Sequence, residues 1–285
     1  MHYTRQSPSK INLFLKIAGK LSNGYHEIDT VFLPLNSPCD EITVAFIDAG
    51  GISITTSSDV VPCDERNLCW KAVDVYARRA GIEVSCTIHI EKHIPVAAGM
   101  GGGSSNAATV LTILNDKYQL LDKIVLAELA LSLGADVPFF LQPCLSTATG
   151  VGEKLVPIDF DYPKLSLIII APHFPVSAAW AYKHCCVADD IAVTGQMTAV
   201  LDAVKTGNID DLSRLVRNDL AIPSYKKFPI LSIIKEKALE SGALCVEVSG
   251  SGPTMFALCK SDQHAKEVAS ILTDSLPSSI SILTV

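Results

Sequence analysis

The stretch Pro95–Leu114 reads PVAAGMGGGSSNAATVLTIL. Four of the five residues from Gly99 to Gly103 are glycine, and a helix-forming run follows directly. Glycine loses more backbone freedom on folding than any other residue, so the run requires a reason. Successive N–H groups with no side chains in the way can point into one concavity. The N-terminus of the following helix adds free amides and partial positive charge, and the result suits a phosphate. Ser104 and Ser105 can add hydroxyl donors or a Mg²⁺ ligand. One of Ser104, Ser105 and Asn106 can cap the helix, and small Ala107 and Ala108 permit close packing behind the loop. The plainer reading is a flexible linker or a tight strand–helix turn. A linker seldom leads into a capped apolar helix, and one glycine would serve a turn. Two common nucleotide fingerprints do not fit. A Walker A loop ends in Gly-Lys-Ser/Thr, whereas Gly103 is followed by Ser104. A GxGxxG counted from Gly99 meets Ser104 at its last glycine, and counted from Gly101 it meets Asn106.

Around this loop the chain alternates between strand and helix patterns. Ile11, Leu13, Leu15 and Ile17 form one face of a strand, Ser22–Gly24 signals a hairpin turn of type I′, and a second strand runs over 28–33. Further strands are expected over 41–47, 52–56 and 84–90. Helices are expected over 65–80, ending at Gly81, then from the glycine loop to Tyr118, and over 123–133. Past Gly152 the pattern restarts, with a strand over 165–171 and helices over 176–185, 196–205, 209–216 and 230–240. Strands over 244–248 and 254–258, a helix over 263–272 and a strand over 279–284 close the chain. The βαβ-like ending predicts helices on one face of a sheet and an α+β class. The division between two parts is expected near 151–162.

The 285 residues are 48% hydrophobic and 19% charged, with a net charge of −7. That is ample material for a deep core, with no basic surplus for nucleic acid or a membrane surface. The apolar run Leu165–Ile170 is far short of the ~20 residues of a spanning helix. The start MHYTRQSPSK lacks a signal-type apolar stretch, so a cytoplasmic location is expected. Nine cysteines, an odd number, occur with no CxxC, as in buried thiols of a reducing compartment. His184-Cys185-Cys186 has no partner pair at ligand spacing, which argues against a metal site.

PVAAGMGGGSSNAA resembles the phosphate loop of the GHMP kinases (galacto-, homoserine, mevalonate and phosphomevalonate kinases). SPSKINLFLKIAGKLSNGYHEIDTVF (Ser7–Phe32), LGADVPFF (Leu133–Phe140) and VSGSGPTMFAL (Val248–Leu258) are similar to one branch of that family. Its members phosphorylate a cytidine-diphosphate-linked sugar alcohol on the non-mevalonate route to isoprenoids. The resemblance implies an α+β, two-lobe fold with the active site in the cleft between lobes. Residues 1–155 would form the N-terminal lobe and 156–285 the C-terminal one. It implies an ATP-dependent kinase, with ATP as co-substrate and Mg²⁺, acting as a monomer or homodimer. Two departures stand out: Asn106 replaces the family's usual Asp, and VSAAWAY (Val176–Tyr182) offers alanines where a threonine is common.

Asp136 lies in an apolar stretch, where a buried carboxylate needs a partner. It reads equally as the N-cap of a helix beginning Val137-Pro138. The resemblance assigns it to the proton of the attacking hydroxyl. Lys10 reads as a solvated strand lysine, and by resemblance as a cation facing Asp136 and the transferring phosphate. The phosphates are expected on Pro95, Val96, Ala97, Ala98, Gly99, Met100, Gly101, Gly102, Gly103, Ser104 and Ser105. Tyr25 and His26 read as ordinary hairpin residues, and by resemblance as a cytosine site. Tyr182 is a second aromatic candidate there. Asn12 alternates onto the side of Lys10 and is a candidate contact to the acceptor. Gly250-Ser251-Gly252 is a turn, and by resemblance a support for the phosphate loop. Asp29, Asp64 and Glu65 read as solvated. The alternatives are another GHMP kinase, of homoserine or mevalonate type, and a non-catalytic nucleotide-binding sensor.

Overall fold

The computed structural model describes residues 2–22, 24–185 and 195–285, and among these described residues there are two β-sheets and ten helices. The order is β1 (His2–Lys20), β2 (His26–Phe46), β3 (Ile52–Thr56), α1 (Leu68–Ala80), β4 (Cys86–Glu91), α2 (Gly102–Tyr118), α3 (Lys123–Leu133), α4 (Val137–Leu141), β5 (Ser146–Thr149), β6 (Lys154–Pro157) and β7 (Ser166–Pro172). Then come α5 (Ala178–His184), α6 (Gln196–Thr206), α7 (Ile209–Leu215), β8 (Arg217–Asn218), α8 (Ala221–Lys227), α9 (Pro229–Glu240), β9 (Cys245–Val248), β10 (Met255–Cys259), α10 (Asp262–Ser275) and β11 (Ile280–Thr284). The first sheet has the order β3-β4-β2-β1-β8, with β5 beside β2 and β6 beside β5; the second has the order β11-β7-β10-β9.

The residues associate into two compact units. One holds the chain up to Ser9, Pro34–Val96 and Gly101–Pro143. Here Ile42 and Val44 alternate inward on β2, opposite Ile90 and Ile88 of the antiparallel β4. α1 packs along α2. Asn67 caps α1, its side chain accepting from Cys69 N–H at 2.9 Å. The helix ends at Gly81, φ +67°, whose N–H returns to the carbonyls of Ala77 and Arg78, as its sequence predicts.

The other unit holds Lys10–Leu33, Ala97–Met100 and the described residues from Cys144 onward. Its four-stranded sheet places β10 and β11 on either side of β7, both antiparallel to it. β10, α10 and β11 thus make the expected βαβ with one strand between its partners. With β7 and β9 this is the βαββαβ pattern of ferredoxin-like folds. Ile168 and Ile170 of β7, Leu231 and Ile234 of α9 and Val268 and Leu272 of α10 share one core, so these helices cover one face of the sheet.

Three expectations are corrected. The strands over 28–33 and 41–47 are parts of the single strand β2, because Asn36 and Ser37 are exposed within an otherwise continuous extended run. The hairpin after β1 is not a two-residue type I′ turn. Leu21 N–H bonds Tyr25 O at 2.8 Å and Gly24 N–H bonds Leu21 O at 3.0 Å, a wider loop. Asn23 of that motif and Cys186 lie outside the described residues. Third, α2 is not capped by Ser104, Ser105 or Asn106: Gly101 is its N-cap and provides no side-chain bond. The described cysteines are free thiols, and burial pushes Cys69 up to about 12 and Cys86 up to about 11. No helix among the described residues is long and apolar enough to cross a membrane.

Candidate active site

Four successive carbonyls of the glycine loop are taken by the protein. Ala97 O accepts from Val176 N–H at 3.3 Å, Ala98 O from Thr254 N–H at 3.2 Å, Gly99 O from Ser249 Oγ at 3.0 Å and Met100 O from Lys10 N–H at 3.1 Å. Ser105 N–H closes the first helical bond, onto Gly101 O at 2.9 Å. Between these points, among the described residues, no protein acceptor meets the N–H groups from Gly99 to Ser104. Ala97, Gly99 and Gly101 have φ of +52°, +82° and +73°, alternating with residues of negative φ, the backbone pattern from which amide nests are built. Free amides at the start of a helix are the groups to which an anion could bind.

Close packing demands glycine at 99. A Cβ there would lie 2.0 Å from Ser249 O and 2.8 Å from Gly252 N. At Gly103 the nearest atom would be Leu68 Cδ1 at 3.8 Å, so this glycine leaves open space that packing does not use. Ahead of the loop, buried Asp40 accepts from the N–H groups of His93 and Ile94, both at 2.8 Å, and pairs with Lys92. Lys92 Nζ would lie 3.3 Å from a Cβ on Gly102, so its charge sits beside the first residue of α2.

Behind the helix start, Ser7 Oγ lies 2.7 Å from Ser105 Oγ and 2.8 Å from Asn106 Oδ1. Ser7 Oγ is the donor toward both, its one proton shared between the Ser105 hydroxyl and Asn106 Oδ1, which can only accept. Both Asn106 and the Ser105 side chain are thereby held inside. Ser104 is half-buried.

Lys10 and Asn12 share one face of β1, as their alternation predicts. Lys10 Nζ donates to Asn12 Oδ1 at 2.7 Å and stands 5.1 Å from the centre of the Phe32 ring. Asn12 Nδ2 donates to Thr30 Oγ1 at 2.8 Å, and Thr30 donates on to Phe14 O at 2.6 Å. This chain fixes which way the Asn12 amide points. Gly250 adjoins it: a Cβ there would lie 3.4 Å from Asn12 Oδ1 and 3.5 Å from Lys10 Nζ.

His26 and Tyr182 are brought together as a stacked pair, ring centres 5.7 Å apart at 24°. Burial, and then the charge of Lys20, push the His26 pKa below its ordinary value. Tyr25, the residue before His26, is 64% exposed. Asp136 occupies the N-cap position of α4, at φ −82° and ψ −16°, but its side chain makes no capping bond. Asp64 pairs with Arg66 at the surface. No group of three or more His, Cys, Asp or Glu side chains among the described residues is arranged to hold a metal ion.

The family description "GHMP kinases N terminal domain" matches residues 67–142, and "GHMP kinases C terminal" matches residues 200–278. The 4-diphosphocytidyl-2-C-methyl-D-erythritol kinase of Geobacter metallireducens is 36% identical over 273 residues, covering 95% of this chain and 94% of that one. The chain belongs to this kinase family. The enzyme of the same name from Solidesulfovibrio magneticus is 37% identical over 276 residues, covering 95% of this chain and 93% of that one. A crystal structure of 4-(cytidine 5'-diphospho)-2C-methyl-D-erythritol kinase superposes with a TM-score of 0.80 at 30% identity, over 99% of this chain and 98% of that one. Homoserine kinase from Cytophaga hutchinsonii, at 19% identity and TM-score 0.79 over 99% and 94%, shares the fold. As a member of this kinase family the chain is an ATP-dependent small-molecule kinase. Sequence reasoning missed Thr30, Asp40 and Lys92 at this site. Asp40 and Lys92 lie just outside the strands expected over 41–47 and 84–90, and only the antiparallel pairing of β2 with β4 brings them together; the signal for Thr30 was its place two residues from Phe32 in an apolar strand.

Proposed function

We propose that this chain transfers the γ-phosphoryl group of MgATP to the C2 hydroxyl of 4-diphosphocytidyl-2-C-methyl-D-erythritol, giving the 2-phosphate and ADP, on the non-mevalonate route to isoprenoids. The observation that carries the phosphate half is the loop whose carbonyls from Ala97 to Gly101 are engaged while, among the described residues, the amides of Gly99–Ser104 meet no protein acceptor. Kinship at 36% identity over nearly the whole chain supports the acceptor.

In this reading the phosphates lie on Pro95–Ser105, with the amides of Gly99–Ser104 as principal donors. A nucleotide-borne Mg²⁺ would offset phosphate charge, and one protein hydroxyl would be enough to hold it here. Ser104, half-buried in the first turn of α2, fits that place. The acceptor's C2 oxygen attacks the γ-phosphorus as the bond to the β–γ bridging oxygen breaks, and its proton passes to Asp136. The Asp136 side chain does not cap α4, which favours the catalytic over the capping reading. Lys10 offsets the developing charge, and Asn12 contacts the acceptor. Tyr25 and Tyr182 offer ring faces to cytosine. His26, held neutral, has one ring donor and one acceptor for the pyrimidine edge. Transfer of this kind requires mainly alignment and charge stabilisation.

ADP release is measured with MgATP and the cytidine-linked alcohol, beside mevalonate, homoserine and galactose. Turnover with the cytidine-linked alcohol alone is expected. Turnover with another alcohol would discard the cytosine site, and nucleotide binding without any turnover would favour a sensor. Asp136→Ala is expected to fold as the parent does and lose on the order of 10²–10⁴ in kcat. A kcat within tenfold of the parent would remove Asp136 from its role.

A further inference from the structure

Asn218 ends the two-residue strand β8 and is 5% exposed. Its Nδ2 donates to Val248 O and to Gly250 O, each at 2.7 Å, and its Oδ1 accepts from Leu220 N–H at 2.9 Å. Both amide protons and the carbonyl oxygen are used inside the protein.

The two carbonyls it holds flank Ser249, whose hydroxyl donates to Gly99 O. Gly250 has φ +54°, and a Cβ on it would meet Gly99 O at 3.1 Å, Asn12 Oδ1 at 3.4 Å and Lys10 Nζ at 3.5 Å. The turn from Ser249 to Gly252 is therefore the surface against which the ammonium of Lys10 and the carbonyl of Gly99 both rest. The base of the clamp is tied to the strand that carries Lys10. Asp219 N–H bonds Leu15 O at 2.9 Å, and Asp219 Oδ2 accepts from Ile17 N–H at 2.9 Å. Asn218 thus spans a fixed distance between β1 and the turn.

We propose that Asn218 is a positioning residue for phosphoryl transfer. Through the carbonyls of Val248 and Gly250 it sets the turn, and through the turn it sets the Lys10 ammonium and the first glycine of the phosphate loop. This rests on the role of Lys10 given above. Loss of the clamp misplaces a charge in the transition state, a kcat effect, and leaves the cytidine end of the acceptor where it was.

The test uses the full chain with MgATP and the cytidine-linked alcohol. Asn218→Ala removes the clamp. Asn218→Asp keeps its shape and its acceptor for Leu220 N–H, while its ionised form has no donor. Gly250→Ala disturbs the same turn from the other side. Each is expected to lower kcat about 10- to 100-fold, with KM for the alcohol within about threefold of the parent. The double variant Asn218→Ala with Gly250→Ala is expected to lose no more than about twice what Gly250→Ala loses alone, since both act on one turn. A kcat within threefold of the parent in a folded Asn218 variant, or fully additive losses, would overturn the proposal. If neither Asn218 variant folds, Gly250→Ala decides: unchanged kcat overturns the proposal, and lowered kcat at unchanged KM for the alcohol supports it. Lys10→Met is assayed in parallel. If it keeps full kcat, the reading of Lys10 has failed. If it loses kcat while Asn218→Ala does not, the role of Asn218 alone has failed.

Discussion

A methyl group at Gly99 has nowhere to go. It would sit 2.0 Å from the carbonyl oxygen of Ser249, on a backbone with φ +82° that L side chains rarely adopt. Either the loop or the turn beneath it must shift. Gly99→Ala is expected to cost about 2–4 kcal/mol of stability and to weaken ATP binding at least about tenfold. Gly103→Ala, whose Cβ meets nothing closer than 3.8 Å, is expected to keep parental stability. Urea unfolding and nucleotide titration of the two variants check this; equal behaviour would mean the close approach at Gly99 does not matter. The glycine run was legible because glycine is the residue that both a nest and a close approach require. Asn218 was not, since its role depends on carbonyls 30 and 32 residues further along the chain, with no periodicity or spacing to announce them.

Among the elements, α2 shows how one strand face can hold a helix. Ser7 and Ser9 are fully buried on the same face of β1. Ser7 joins Ser105 and Asn106 of α2, while no partner meets Ser9 Oγ among the described residues. Ser7→Ala leaves Asn106 Oδ1 and the Ser105 hydroxyl buried without their bonds, at an expected cost of about 1–3 kcal/mol. Ser9→Ala removes an unpaired buried hydroxyl and is expected to be neutral or slightly stabilising. Chemical denaturation of the two variants measures the contrast, and equal losses would show that the Ser7 bonds add nothing. The long periodic elements were legible, α3 to the residue, because eleven residues carry several turns of pattern. β5, β6, β8 and α8 were missed. At two to seven residues each they owe their form to their neighbours: β8 is extended because β1 pairs with it.

At the scale of the whole molecule, the class and the family were legible because the phosphate loop, the GADVPFF stretch and the SGSGPT turn each combine residue types that few other structures need together. The association of distant stretches was not written in any local pattern. Lys10, Asn12, His26 and Tyr182 share their unit with Ala97–Met100 and with everything described after Pro143. Every residue of the first unit has been made once Pro143 leaves the ribosome. The second must wait for the last strand, β11, although its own first strand emerged before almost anything else. At a synthesis rate of roughly 5–20 residues per second, that wait is on the order of ten seconds. During it, the lysine-bearing half of β1 has β2 beside it but not β8, and Ala97, Ala98 and Gly99 lack Val176, Thr254 and Ser249, which do not yet exist. Expression of this kinase in a cell is thus a race between translation and aggregation, and slowing the ribosome over its second half would cost more yield than slowing it over the first.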